Sequence, residues 1–594
     1  MSIPHHTLSH TPLRDHTADR RMAMLAAAAL FVGAAGTGGA WLLLNLIALA
    51  TNLFWNGKVS VAPMTMGLGA PEFLLVLAPV LGSLIIGVMA RFGSEKIRGH
   101  GIPEAIEAIL YGESRMSLKV ALLKPLSSAI SIGSGGPFGA EGPIIMTGGA
   151  IGSLFAQCFH LSAAERKTLL VAGAAAGMTA IFGTPLAAIL LAVEVLLFEW
   201  KPRSFVPVVM AVLVAVILRP LLIGSGAMFP AQLIIPSGLW TLPAALGLGL
   251  ATGVEAGLLS AALYRIEDFF HRLPVHWMWW PALGALVVGG SALVDRRILG
   301  AGYGNIQALL DGSMLLQAVI LLLVMKAIAW LVALGSGTSG GVLAPLLTLG
   351  GALGALAGFV LPGGPAFWAL LGMAGIMSGA MRAPLTGALF AAELTGQFRA
   401  LPFTMACAIG AYAVSVLVMR RSILTEKISR RGRHILQEFS VDPHDLIQAG
   451  QIMTPDPVTL PETMRVSEVI TFFASGAKFR SYPVIDAAGR LSGLVSRNDA
   501  LAWQEGTLPA DTTLGETLSD FSQPHVQPDT PIGVVADIIL ETGNGRVPVI
   551  AANDRRVVGI VTRHDLLKAR YARRQDEHSR SRPIALPRLF RRTD

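Results

Sequence analysis

Long apolar runs separated by short polar breaks fill the first 420 residues, and shorter alternating patterns fill the region from 451 to 570. The first run, Met22 to Ala50, follows Arg20-Arg21 and exceeds the apolar core of a signal peptide, so it predicts a retained membrane helix with the arginines on its inner side. Pro71 to Arg91, Leu169 to Phe198, Val206 to Ile223 and Leu239 to Leu263 predict further apolar segments, as do Trp280 to Val294, Met314 to Leu334, Ala344 to Val360, Phe367 to Leu394 and Phe403 to Met419. Val120 to Ile132 and Ile144 to Phe159 fall short of the roughly 20 residues that a straight span needs. They predict broken, partial helices shielded from lipid by other protein.

From Arg420 the pattern changes. Residues 420–434 are basic and helix-like, and 431–450 reads as a linker. Residues 451–506 and 512–572 share a plan of their own: a helix near Val466 to Ala474, then SYPVID and LSGLVSRND, answered by RVPVIAANDRRVVGIVTRHDLL. Strands bounded by Gly/Asp turns between helices predict a soluble α/β module. The polar segment 1–21, with His5, His6, His10 and His16, and the arginine-rich segment 573–594 read as tails.

Composition agrees with this division. Of 594 residues, 53% are hydrophobic and 14% charged, too apolar for a soluble chain. The formal charge of +8 is concentrated at segment ends and after Arg420, which fits membrane topology and lipid headgroups rather than nucleic acid. The two cysteines, Cys158 and Cys407, lack metal-like spacing and imply no disulfide framework.

The candidate chemistry lies in GSGGPFGAEGPIIMTGG, Gly133 to Gly149. Glycine turns flank a single acid, Glu141, inside apolar sequence where an ionisable group marks a functional site by default. Pro143 suits the first turn of a helix, whose N-terminus favours an anion. GSGTSGGVLAPLLTLGG, Gly335 to Gly351, matches it without a gap 202 residues on, and Lys124 and Lys326 keep the offset. GHGIPEAIEAIL at Gly99 is answered by GAGYGNIQALL at Gly300, and PLAAILLAVEV at Pro185 by PLTGALFAAEL at Pro384. Paired halves, about 72–224 and 239–420, with interrupted segments in corresponding places point to a transport site near the membrane midplane.

GHGIPE, GAEGP, GGVLAP and the two PL…E helices resemble the CLC family of chloride channels and proton-coupled chloride antiporters over about residues 21–430. The resemblance implies an all-α, inverted-repeat membrane domain with broken and tilted helices, a homodimer, and chloride and protons as cargo. A multi-pass location in a bacterial inner membrane with cytoplasmic termini goes with it. Carried over by position, Glu141 is the gate. His100, Gly139, Ala140, Val342, Leu343 and Leu424 lie where the anion is bound, and Glu141, Glu194 and Val195 where the proton travels. Four positions depart from the family's usual residues: His100 replaces a serine, Leu424 a tyrosine, Val195 a glutamate and Ala140 an arginine. Weakly coupled antiport and passive conduction both stay open, with antiport ahead because Glu141 can be protonated. GLVSRND and GIVTRHD resemble tandem CBS domains. Transport requires no cofactor on this reading, and the implied small molecule is an adenine nucleotide held by Ser496, Asp499, Thr562 and Asp565.

Plainer readings stand beside these. Glu194 and Glu393 sit at matching ends of repeat helices, where capping accounts for them, and Ser496 and Thr562 can simply end strands. His100 can bond a turn backbone; as an anion ligand, it would raise occupancy as pH falls through about 6.5. An intramembrane metalloprotease would need an HExxH motif, which the chain lacks. A CBS-bearing cation transporter should line its path with several acids. Fluoride and nitrate remain open beside chloride.

Overall fold

The computed structural model describes residues 20–433, 447–506, 508–509, 511–518 and 524–579. The tail 1–21 apart from its last two residues, most of the 431–450 linker and the segment from 580 lie outside them. The chain divides into two compact units, one holding the described residues 20–433 and the other 447–579.

The first unit is helical. Eight of its helices are long and apolar enough to cross a membrane, beginning with Arg21–Asn56 and Glu72–Phe92. Glycine and alanine faces let them approach closely: a Cβ at Gly33 would lie 2.6 Å from the Ala211 carbonyl, and one at Gly133 2.5 Å from the Ala50 side chain. Two predicted runs divide. Leu169 to Phe198 breaks where Gly183 takes a left-handed conformation (φ 68°), which ends the helix Ala163–Phe182 before Pro185–Leu191 begins. Phe367 to Leu394 breaks at the same place in the second repeat, where Arg382 (φ 59°) ends Gly364–Met381 before Pro384–Thr395. Arg382 is held in this unfavourable backbone region by donating to the Ser415 and Met419 carbonyls. Each proline then starts a new helix at its first position.

The repeats are joined by matching buried contacts. Lys124 Nζ donates to the carbonyls of Ile97 and Gly99 at 2.8 and 2.7 Å, and Lys326 Nζ to those of Ile298 and Gly300 at 2.9 and 2.8 Å. Glu194 accepts from the amides of Leu385 and Thr386, while Glu393 accepts from those of Leu186 and Ala187. Each repeat thus caps the interrupted helix of the other. An uncapped helix start inside apolar surroundings would leave amides unsatisfied, and a carboxylate there also meets the positive end of the helix dipole.

The second unit holds two three-stranded sheets. In one, Leu460–Pro461 runs parallel to Ser481–Ile485, which pairs antiparallel with Leu491–Ser496. In the other, Arg546–Ile550 pairs with Val557–Thr562, whose far edge takes Thr454–Pro455 from the start of the unit. Each sheet has its own core, built on Val469, Phe473, Tyr482 and Val495 in the first and on Val535, Ile539, Val547 and Val561 in the second. The Arg546 guanidinium joins them, donating to the Ser481 carbonyl at 3.2 Å and covering the Phe479 ring at 4.9 Å. Partial burial there pushes its pKa below the ordinary arginine value.

Candidate functional site

The two glycine motifs meet face to face. Gly139 and Gly341 exchange both backbone hydrogen bonds, at 3.2 and 2.9 Å, and the amide of Gly99 reaches the Thr338 carbonyl at 3.1 Å. The first pair aligns the starts of the helices Glu141–Cys158 and Leu343–Gly358, and the second brings the turn before Ile102–Leu110 beside them. First-turn amides have no helical acceptor, so three sets of donors converge in one buried place.

The Glu141 side chain occupies that place. It is fully buried, and neither carboxylate oxygen has a hydrogen-bond partner. The carboxylate faces its own amide and that of Ala344. Glycine is required around it: a Cβ at Gly139 would overlap the carboxylate, and one at Gly341 would lie 2.7 Å from Oε2. A negative group held by helix starts and backbone, without a cation, stands where a free anion would be equally well received.

Cavities lie on either side. The inner one, about 720 Å³ on the side of the 423–433 segment, is lined by His100, Tyr264, Lys96, Arg98, Lys427 and Arg431 together with Glu95 and Glu267. The outer one, about 350 Å³, is lined by Ala140, Tyr303, Arg296 and Arg297. Their linings come together at the cradle, where His100 of the inner cavity lies beside Gly142, two residues from Ala140 of the outer one. Cation-rich mouths raise the local concentration of an anionic substrate.

The positions singled out from the sequence fare differently. Val342 and Leu343 stand at the helix start facing Glu141, and Ala140 reaches the outer cavity. Gly139 gives its amide to the Gly341 carbonyl and so forms the cradle rather than serving as a donor to an anion. His100 reaches the inner cavity with both ring nitrogens unpartnered. In its turn outside the spanning helices, burial first and then Lys427 lower its pKa below the usual value, which runs against the expectation that it gains charge near neutral pH. Leu424 is buried in the first turn of Ile423–Arg430. Glu194 takes the capping reading rather than that of the proton path, its carboxylate accepting from the start of Pro384–Thr395 and from the Thr386 hydroxyl at 2.6 Å. Val195 is buried and apolar, with no group to carry a proton.

Two tyrosines were not anticipated. Tyr264 lines the inner cavity and donates its hydroxyl to the Ile423 carbonyl at 2.6 Å, beside Leu424. Tyr303 carries a buried, unpartnered hydroxyl near the Ala140 amide and Glu141. Its signal was available in GAGYGN, where it faces Ile102 of the first repeat's turn. Nothing in the local pattern marks Tyr264, which sits on a helix far in sequence from Leu424.

In the second unit, Asp499 Oδ2 accepts from the amide and hydroxyl of Ser496, both at 2.7 Å, and Asp565 Oδ2 from those of Thr562 at 2.9 and 2.7 Å. All four residues therefore serve as helix caps, while the second oxygen of each aspartate is outside these bonds.

Residues 81–416 match the voltage gated chloride channel family, and residues 449–506 and 518–572 match the CBS domain. The voltage-gated ClC-type chloride channel ClcB of Escherichia coli O81 (strain ED1a) is 32% identical over 373 residues, which cover 60% of this chain and 87% of that protein. A ClcB-like chloride channel protein of Ralstonia nicotianae is 30% identical over 352 residues, covering 57% and 82%. The fold resembles that of a slow cyanobacterial Cl⁻/H⁺ antiporter, with a TM-score of 0.60 and 22% identity over 70% of this chain and 98% of that one. It also resembles a eukaryotic CLC transporter, with a TM-score of 0.57 and 21% identity over 92% and 97%. With buried glycine motifs that frame one unpaired acid and a family match spanning more than half its length, the chain belongs to the CLC family of voltage-gated chloride channels, carrying a tandem CBS pair behind its membrane domain.

Proposed function

We propose that this protein moves chloride, or a similarly small monovalent anion such as fluoride or nitrate, across a membrane in exchange for protons, with Glu141 as the gate. One observation carries the reading: a buried carboxylate without a partner sits in the glycine cradle between a cation-rich inner cavity and an outer one. As a carboxylate it fills an anion position, and once protonated it loses that attraction and can leave. Val342, Leu343 and Ala140 border the passage, and His100 lines its inner approach as a neutral donor. The proton's route beyond Glu141 then runs through water in the cavities, since Glu194 is a cap and Val195 is apolar. The apolar residue at Val195 and the capping role of Glu194 favour a second reading, passive conduction gated by Glu141. Purified protein in liposomes decides between them. Uphill proton movement driven by a chloride gradient supports exchange, and chloride efflux without it supports a channel.

The protein acts on this reading as a homodimer in a bacterial inner membrane, with both termini cytoplasmic and the membrane domain spanning 22–430. The CBS repeats, 451–506 and 512–572, regulate it by holding an adenine nucleotide whose ribose hydroxyls meet the free oxygens of Asp499 and Asp565. Equilibrium binding of ATP, ADP and AMP to the full-length protein tests this, since Asp499→Asn with Asp565→Asn keeps the caps' geometry while weakening the ribose contacts. No binding of any of the three would remove the regulatory nucleotide.

A further inference from the structure

The helices Thr241–His271 and Leu401–Val418 touch along one side and part near the inner face. A Cβ at Gly253 would lie 2.8 Å from the Val414 side chain, so the two are in close contact there. One turn on, a Cβ at Gly257 would meet nothing nearer than 3.6 Å. The gap widens into a groove of about 490 Å³. Its walls include Val254, Leu258 and Val418, whose side chains are exposed. Its mouth carries Arg265, Arg420, Arg421 and Arg430 against two acids, Asp268 and Glu426. Arg430 pairs with both acids and Arg421 with Glu426. Arg265 and Arg420 form no ion pair with any described residue.

We infer that this groove binds an anionic phospholipid from the inner leaflet, its acyl chain along the valine and leucine walls and its phosphate on Arg265 and Arg420. The two halves of the groove select the ligand jointly. A neutral lipid would leave the unpaired arginines unanswered, and a free phosphate would leave the apolar walls bare. Basic pockets between spanning helices on the inner side take anionic headgroups for the same reason. The site also touches the transport path. Tyr264 lines both the groove and the inner cavity, and Arg430 lies 4.8 Å over its ring. The Tyr264 hydroxyl holds the Ile423 carbonyl next to Leu424, so a bound headgroup bears on the inner end of the anion passage.

The test is binding of a fluorescent phosphatidylglycerol to the full-length protein in phosphatidylcholine nanodiscs. Each arginine removed should cost about fivefold in affinity, and Arg265→Gln with Arg420→Gln together about thirtyfold. Arg265→Lys with Arg420→Lys should keep affinity within about threefold, because the charges remain. The glutamine variant should melt at the wild-type temperature in phosphatidylcholine, which separates lost binding from lost folding. Inorganic phosphate at equal concentration should not compete. Unchanged affinity in the glutamine variant, lost affinity in the lysine variant, or full competition by inorganic phosphate would each overturn the inference. None of these readouts depends on whether the protein exchanges protons.

Discussion

The two repeats of the membrane unit share a scaffold and differ in chemistry. Lys124 and Lys326 tie equivalent turns, and Glu194 and Glu393 cap each other's repeat helices. At the centre the correspondence stops: Glu141 in the first repeat is matched by Leu343 in the second, and His100 by Ala301. The first repeat supplies a titratable gate, and the second supplies backbone and the Tyr303 hydroxyl around it. A symmetric frame therefore holds an asymmetric site. Substitutions at frame positions should act on stability in both repeats, while those at the centre should act on transport and only in the first.

The largest effect is expected at Glu141. Glu141→Gln keeps the size and removes the charge, so the anion position can no longer be closed by a carboxylate. Chloride efflux from liposomes should persist and lose its dependence on pH. In the wild type it should rise as pH falls, because protonation empties the position. If the wild type exchanges protons, uphill proton movement should vanish in the variant. The matching change Leu343→Met should leave both properties in place. A Glu141→Gln protein that retains wild-type coupling would falsify the assignment of the gate.

The frame lysines come next. Lys124→Met strands the Ile97 carbonyl and takes one donor each from the Gly99 carbonyl, which keeps the Gly340 amide, and from the Ser339 hydroxyl, which keeps Ser127 and Ser128. Lys326→Met strands the carbonyls of Ile298 and Gly300. Buried acceptors left unpaired cost about 1 kcal/mol or more each and weakened ones less, so losses of about 2 kcal/mol are expected for both. Thermal unfolding in detergent measures them. Because Ser339 belongs to the second motif, the Lys124 variant alone should also alter chloride affinity. Unchanged chloride affinity in the Lys124 variant would erase that distinction.

These contacts mark where the sequence could be read and where it could not. The glycine motifs and their gapless repeat fixed the location of the site, since glycine at a close approach and an acid in apolar sequence are local signals. The helix breaks at Gly183 and Arg382 were hidden inside continuous apolar runs, because hydrophobicity alone does not record a left-handed residue. A cap at Glu194 was the reading its place at the end of a repeat helix favoured, but its partners, 191 and 192 positions away, were not legible. Likewise, no sequence pattern joins Tyr264 to Ile423. In the second unit the helix expected near Val466 to Ala474 spans those residues, where turn and strand signals lie close together.

A smaller effect should distinguish the caps from the proton path. Glu194→Gln keeps an acceptor for the amides of Leu385 and Thr386 but gives up the charge at the helix start. A stability loss of about 1 kcal/mol is expected, and a similar one for Glu393→Gln opposite Leu186 and Ala187. Coupled proton flux per chloride should be unchanged in both. A Glu194 variant that loses coupling while Glu393→Gln keeps it would return Glu194 to the proton path and break the symmetry of the caps.

The smallest effect is expected at His100, whose counterpart is Ala301. Its ring is buried in the inner cavity without a hydrogen-bond partner, and Lys427 stands close to it. Desolvation opposes protonation, and a charged ring would also add to the positive charge of Lys427, Lys124 and Arg431, which Glu104 offsets only in part, so the ring's pKa lies well below its ordinary value near 6.5. A group whose pKa is lowered in this way is neutral throughout pH 5 to 8 and adds no charge that varies in that range. His100→Ser should therefore leave the pH profile of chloride flux as it was. The apparent chloride affinity should change by no more than about fivefold, the worth of one neutral hydrogen bond of about 1 kcal/mol. Flux measured at fixed chloride across pH 5 to 8 tells the cases apart. If a midpoint near 6.5 is present in the wild type and absent in the variant, the ring titrates in the path, and the first repeat then contributes two switching groups rather than one.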